Sequence, residues 1–460
     1  MSTFPRRPVF RSGPFSAGFA FVVLLLALPA FGQEPEEPER PPTGAVVPPE
    51  DPGGGDSVGY DVETETAKSG GDTEAARPEV ARARLVDGSD RPGHRAVKEI
   101  RRLRQGVGRI EWSSQGEQLA FDRAADTGFR ALFVGNALAG TERCLSCGYW
   151  DLRKSHVLAP TWHPSGRMTV AMVQGPAAKL GMETWTLAGP DRGLHSELWA
   201  FPADGGDPWQ LTNVVPQGGA VMDPHFSYEG DRLAWTRRVD TTVGGRWGSW
   251  EVRVADFQIK RGVPRLKNIR ELDVLPWPGW VAVHGFTEDD KGLWLTVSPT
   301  PGSADKGGRR GLMSGRYDFE SGRFTPLPGA GDWDVLPSSV PRDERRVWVS
   351  DRGIERPRAP RLPWRGDLWL ASESGRRQER LTFFNDPSSD HYLGEAWIAD
   401  TTWSPDGEHL LVQVLAPDET KADEATGGGE GERGRWGVSP AVVEYLYEIR
   451  LDPAALSRLP

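Results

Sequence analysis

One short segment recurs along this chain and constrains its fold more than any other feature. Residues 401–414 read TTWSPDGEHLLVQV: an aromatic residue, a four-residue turn and an aliphatic strand. In Ser404-Pro405-Asp406-Gly407 the proline presets its own φ, the aspartate can bond its own backbone and the glycine tolerates positive φ. Such a turn between two apolar runs is a hairpin signal. Degraded copies read IEWSSQGEQLAF (110–121), PTWHPSGRMTVAM (160–172), PHFSYEGDRLAW (224–235) and HGFTEDDKGLWL (284–295), with a poorer one, SVPRDERRVWV, at 339–349. The copies lie about 50 to 65 residues apart, the length of one four-stranded propeller blade. Trp403 holds the position taken by Trp112, Trp162, Phe226 and Phe286 in the other copies, which predicts a core anchor.

Trp-Ser-Pro-Asp-Gly followed by an aliphatic strand resembles the TolB-type, WD-like β-propeller repeat. Trp403-Ser404-Pro405-Asp406-Gly407 matches fully, and Trp162-His163-Pro164-Ser165-Gly166 and Phe226-Ser227-Tyr228-Glu229-Gly230 match in part. The resemblance spans roughly residues 97–453. It implies a propeller fold and an exported protein. It fixes no function, because this fold hosts binding modules and enzymes alike.

The residues predict an all-β, six-bladed β-propeller of four-stranded antiparallel blades over 93–456. Second hairpins follow the first in each blade: 130–136 with 142–147, then 196–212, 250–274, 313–327 and 367–382. The sixth blade has only EYLYEIRLD (444–452) after its first hairpin, so it lacks an outer strand. VKEIRRL (97–103), ahead of the first repeat, is predicted to supply it. Closure from both termini removes the exposed edges that invite aggregation.

The N-terminal residues read as a targeting segment and a spacer. Arg6, Arg7 and Arg11 precede an apolar run from Ala17 to Leu28, and Ala30-Phe31-Gly32 is a small-x-small cleavage site, so residues 1–32 are expected to be a signal peptide. The apolar run is shorter than a membrane span requires. Residues 33–92 are rich in Pro, Glu and Gly and are predicted to be a disordered linker. Together these imply a periplasmic or secreted protein, monomeric and not inserted in the membrane after cleavage. A net charge of −10 argues against nucleic acid as partner.

Blade geometry puts the A–B and C–D turns on one face of the disc and the B–C connections on the other. The B–C connections are long, at about 174–195, 237–249, 299–312, 351–366 and 416–438. Loops of this length are uncommon unless functional or disordered. They carry Arg246, Trp247 and Trp250 in the third blade, Arg310 in the fourth, and Arg361, Trp364 and Arg365 in the fifth. Arg and Trp are enriched at binding hot spots, and Arg pairs carboxylates bidentately. Solvated loops whose Trp residues pack onto the disc are the alternative.

Cys144 and Cys147 form a C-x-x-C, expected to be a disulfide in an exported chain if the backbone turns at Leu145-Ser146; free or redox-active thiols and half a metal site are the alternatives. His163, His225 and His284 sit beside consecutive anchors, but at different offsets, so they need not share the channel. Asp386, Asp390, Glu395 and Asp400 have a spacing that fits no ordered cation loop. No cofactor, catalytic set or metal site is therefore predicted. The leading expectation is a non-catalytic module that binds a protein with an acidic or carboxylate-bearing segment through its long-loop face. The rivals are a polysaccharide lyase or hydrolase with a metal at the channel mouth, and a structural cell-envelope protein without a specific ligand.

Overall fold

The computed structural model describes residues 93–136, 141–174, 195–217, 219–240, 248–276, 279–298, 311–327, 334–341, 343, 345–355, 362, 364–372, 377–418 and 442–456. The proposed signal peptide (1–32) and linker (33–92) lie outside them.

Every predicted first hairpin is present, and six four-stranded antiparallel sheets result. Strand β1 (Val97–Gln105) precedes blade 1, which is β2 (Val107–Trp112), β3 (Leu119–Ala124), β4 (Arg130–Gly135) and β5 (Glu142–Cys144). Blade 2 is β6 (His156–Trp162), β7 (Met168–Gln174), β8 (Ser196–Pro202) and β9 (Trp209–Gln210). Blade 3 is β10 (Ala220–Phe226), β11 (Arg232–Asp240), β12 (Ser249–Lys260) and β13 (Val263–Leu272). Blade 4 is β14 (Val281–Phe286), β15 (Gly292–Val297), β16 (Met313–Asp318) and β17 (Arg323–Pro326). Blade 5 is β18 (Asp334–Ser339), β19 (Arg346–Ser350), β20 (Asp367–Ala371) and β21 (Gln378–Arg380). Blade 6 is β22 (Trp397–Trp403), β23 (His409–Pro417) and β24 (Val442–Leu451), with β1 as its outer strand. A single helical turn, α1 (Pro453–Leu456), follows.

The closing strand pairs antiparallel with β24 from Val97 opposite Leu451 to Gln105 opposite Tyr445. The predicted closure is thus observed. Ion pairs from Arg101 to Glu448, at 2.7 Å, and from Arg450 to Glu99, at 3.3 Å, flank the ladder.

The turn chemistry locks the ring on the short-turn face. Gly116, Gly166, Gly230 and Gly407 all have positive φ, as their turns require. A Cβ on Gly116 would meet Pro405, on Gly230 His163 and Pro164, and on Gly407 Pro341, so each turn seats against a neighbouring blade's turn. In blade 4 the equivalent residue is Asp290, also at positive φ, whose carboxylate accepts the backbone N–H groups of Tyr228 (2.9 Å) and Glu229 (3.2 Å) in the adjoining turn.

The aromatic anchors pack between blades. Trp112, Trp162, Phe226 and Phe286 are buried, and Trp403 is partly buried against the main core. Blade 5 has Ser339 at this position, and its neighbours use the polarity: Trp294 Nε1 donates to Ser339 Oγ (3.0 Å) and Trp403 Nε1 to Ser338 Oγ (3.2 Å). A second repeated device ties the third strand of a blade to the segment that leaves its outer strand. Glu197 accepts from Thr212 Oγ1 (2.6 Å) and the amides of Val214 and Val215, as Asp367 does from Thr382 Oγ1 (2.7 Å) and the amide of Phe384.

Two outcomes are expected. A chain beginning at Gly106 lacks β1, exposes two sheet edges and should aggregate or lose most of its melting temperature, as read by light scattering and thermal denaturation. Trp162→Ala, removing a side chain only 3% exposed, should cost about 3–5 kcal/mol in denaturant unfolding.

Candidate functional site

The first strand of each blade is a sheet edge, and β2, β6, β10, β14, β18 and β22 touch one another in sequence and back to β2. They enclose a central channel. Each carries a register shift at the same place, from Val107/Ile110 and Leu158/Thr161 through Met222/His225, Val283/Gly285 and Val335/Ser338 to Ile398/Asp400. Three of these bulges put an ordinary residue before proline at positive φ: Ala159 (48°), Asp223 (51°) and Leu336 (54°). Proline has no N–H to lose at an edge, and a bulge re-aims the side chains around it.

Two sets of equivalent positions result. Three residues before the anchors stand Arg109, Asp223 and Asp400, with Ala159, Val283 and Leu336 in the other blades; one residue before stand Glu111, Thr161, His225, Gly285, Ser338 and Thr402. Arg109 is the hub of the first set. Its guanidinium lies 3.2 Å from Asp223 and 3.9 Å from Asp400. Burial opposes its charge, but Asp223, Asp400 and Asp122 outweigh burial and raise its pKa. Asp400 also accepts the Ile110 amide (2.8 Å), and Asp122 accepts the amides of Arg109 (3.1 Å) and Ala159 (3.2 Å).

The carboxylates beside this hub are hard to ionise. Burial, then the charge of Asp400, pushes Glu111 up to about 8, although Thr161 Oγ1 donates to it at 3.2 Å. Burial pushes Asp400 up to about 6 against the pull of Arg109. Burial, reinforced by Arg109, takes His225 down to about 3. His284 is lowered well below its usual range by burial, His225 and Arg109, and its Nε2 bonds Thr296 Oγ1 at 2.8 Å. At neutral pH the channel therefore holds a protonated Glu111, two neutral imidazoles and one arginine neutralised by aspartates. It can donate and accept hydrogen bonds and exchange a proton at Glu111.

His163 lies elsewhere: its ring packs between Phe226 (5.0 Å) and Phe257 (5.4 Å) and reaches the Gly230 carbonyl (3.1 Å). The acidic run also disperses. Asp386 accepts from Ser388, Glu395 accepts the Leu362 amide at 3.1 Å, and only Asp400 reaches the channel. Among the described residues no three His, Cys, Asp or Glu side chains group as a metal site. Cys144 and Cys147 are bridged, with Cα atoms 5.7 Å apart, and Ser146 Oγ within the turn accepts the Leu132 amide.

Of the loop residues, Arg246, Trp247, Arg310 and Arg361 lie outside the described residues. Trp250 is buried in β12 with the Arg238 guanidinium 5.8 Å from its ring centre. Trp364 is half-buried, its ring 5.8 Å from that of Trp397, and Arg365 is buried and donates to the Glu355 carbonyl at 2.9 Å. These three stand at the roots of the long connections, held by the disc. A G-x-S-x-G string, Gly55-Asp56-Ser57-Val58-Gly59, also lies outside the described residues.

The chain is a six-bladed propeller. No protein-family model matches it, and no curated protein does. Solved structures similar to it include TolB from Acinetobacter baumannii, with 17% identity, a TM-score of 0.39, and coverage of 60% of this chain and 54% of that one. A putative TolB from Agrobacterium tumefaciens has 16% identity and a TM-score of 0.41, covering 66% of this chain and 87% of that one. A structure from a study of two prolyl endopeptidases has 11% identity and a TM-score of 0.40, covering 68% and 40%. The chain thus spans about half the length of the Acinetobacter protein. The blade count and the closure rest on the strand pairing, not on these likenesses.

The channel sets a pH dependence. Glu111 has a folded pKa raised to about 8 from 4.5, so its contribution to stability is complete below about 4.5 and is lost as pH rises through 8. Glu111→Gln should match the parent in melting temperature at pH 4.5 and exceed it at pH 9. His225 has the opposite sign: its pKa is lowered to about 3 from 6.5, so stability is lost as pH falls from 6.5 toward 3. His225→Asn should flatten that acid limb.

Proposed function

We propose that this protein is an exported, non-catalytic binding module that holds a protein partner on its long-loop face. The observation that carries the reading is the difference between the two faces. On one, the A–B turns are short and seat against one another through Gly116, Gly230 and Gly407. On the other, the strands are joined by long connections, between Gln174 and Ser196, Val297 and Met313, Ser350 and Asp367, and Pro417 and Val442. The Arg238–Trp250 contact stiffens the root of the shorter connection between Asp240 and Ser249, which carries Arg246 and Trp247, and the Trp364–Trp397 contact stiffens that between Ser350 and Asp367. Rigid roots lower the ordering cost of binding.

Arg246, Trp247, Arg310 and Arg361 are the proposed contact residues, and an acidic or carboxylate-bearing segment is the proposed complement. No helix among the described residues is long and apolar enough to cross a membrane. Export rests on the segment 1–32 and its basic, apolar and small-x-small order.

A second reading, a hydrolase or lyase acting at the channel, draws support from Glu111 and Asp400, whose raised pKa values suit proton transfer. Each of these groups, however, already has a partner inside the protein, Thr161 for Glu111 and Arg109 with the Ile110 amide for Asp400.

Replacing Arg246, Trp247 and Arg361 together by Ala should abolish capture of the partner in a crosslinking pull-down from native envelope while leaving the melting temperature within a degree or two, on the order expected for surface positions. The control changes Glu229 and Glu408 in the A–B turns and should capture as the parent does. Loss in the control with retention in the loop variant would put the binding face on the wrong side. Substrate turnover abolished by Glu111→Gln would instead favour the enzyme.

A further inference from the structure

The C–D hairpin of blade 3 departs from the other blades. In blades 1, 2, 4 and 5 the third strand ends level with the start of the second: Gly135 lies opposite Leu119, Pro202 opposite Met168, Asp318 opposite Gly292 and Ala371 opposite Arg346. In blade 3, Asp256 is already opposite Arg232, the first residue of β11, and β12 runs on to Lys260. Four further residues of strand reach about 13 Å. The hairpin therefore projects beyond the disc on the short-turn face.

This projection is basic in an acidic protein. Its residues 257–266 contain Lys260, Arg261 and Arg265 and no Asp or Glu, and Lys267 and Arg270 follow where β13 re-enters the disc opposite Asp256 and Val254, whereas the whole chain has a net charge of −10. All five cations are exposed, and among the described residues none makes an ion pair or a side-chain hydrogen bond. The tip also carries Ile259, 43% exposed. The turn itself is Arg261-Gly262, with φ of 55° and 80°. A two-residue hairpin loop with both φ values positive favours Asn or Gly at its first position, and this one holds an arginine there.

The shape decides what can dock. Strand addition on β13 is blocked, because Pro264 lacks a donor and Asn268, at φ 48°, breaks the ladder. Partners must then be engaged by side chains. A convex tip that combines unpaired cations with an exposed isoleucine fits a flat anionic surface better than a peptide, which seeks a groove or an edge. We propose that the β12–β13 hairpin docks the protein peripherally on an anionic phospholipid surface, with Lys260, Arg261, Arg265 and Lys267 against the headgroups and Ile259 at the interface.

The test uses the full-length protein and sedimenting vesicles of phosphatidylcholine, with and without phosphatidylglycerol at about one part in three. The protein should sediment with the anionic vesicles at low salt, stay in solution with phosphatidylcholine alone, and dissociate as salt rises. The variant K260E/R261E/R265E/K267E should lower partitioning by about tenfold or more, while Arg323→Glu, an exposed cation at the start of β17 in blade 4, should sediment like the parent. Ile259→Ser supplies a second variant without charge change and should weaken partitioning by severalfold. No sedimentation of the parent, equal sedimentation with neutral vesicles, or unchanged sedimentation of both hairpin variants would overturn the proposal. So would tight binding of a poly-glutamate peptide by a parent protein that ignores vesicles.

Discussion

The ring depends on one seam, where the first and last strands meet beside blade 1. The pairing of β1 with β24 gives blade 6 its outer strand, and a buried ionic chain crosses the same seam. Glu444 of β24 takes two bonds from Arg130 of blade 1 at 2.8 and 2.9 Å, and Arg130 pairs in turn with Asp122. Asp122 then accepts the amides of Arg109 in blade 1 and Ala159 in blade 2. Three blades are thus tied through one guanidinium, which is only 4% exposed. Removing one partner of such a buried set leaves an uncompensated charge, which is far more costly than never having built it. Gly108 is part of the same device, since a Cβ there would collide with Arg130 and Asp122.

The hairpins were legible because turn chemistry is local. Ser-Pro-Asp-Gly and its copies announce themselves in five residues, and even SVPRDERRVWV, lacking both the aromatic and the glycine, forms β18 and β19 as expected. The closing strand was legible by subtraction, from a blade one strand short. The staple behind each outer strand also had a sequence signal that the hairpin pattern overshadowed: Glu197-Leu198-Trp199 with Leu211-Thr212, repeated as Asp367-Leu368-Trp369 with Leu381-Thr382.

The channel was far less legible. A period of two assigns inward and outward faces only along an unbroken strand, and every first strand is broken by a bulge two to four residues before its anchor. His225 therefore faces the channel while His163, one residue past its own anchor, serves the turn ring. The Ala-Pro, Asp-Pro and Leu-Pro pairs at 159–160, 223–224 and 336–337 are the sequence trace of the bulges, a proline where an edge amide would go unused. Arg109 and Glu111 carried no trace at all. Their partners Asp223, Asp400 and Thr161 come from other blades, and only closure of the ring brings them together.

Charge distribution links the two faces. A protein of net negative charge is drawn to an anionic surface where it presents an uncompensated basic projection. The β12–β13 hairpin is such a projection, and it leaves the disc on the side of the A–B turns. Docking through it would turn the B–C connections away from the surface, toward solvent and any partner there. The hairpin is rooted firmly enough to transmit that orientation: Phe257 and Leu266 at its base pack into the core of blades 2 and 3, and the Phe257 amide bonds the Asp231 carbonyl at 2.7 Å. A loosely tethered basic tail of equal charge would bind the same surface without orienting the disc. The strand extension therefore adds direction to an attraction that charge alone would supply.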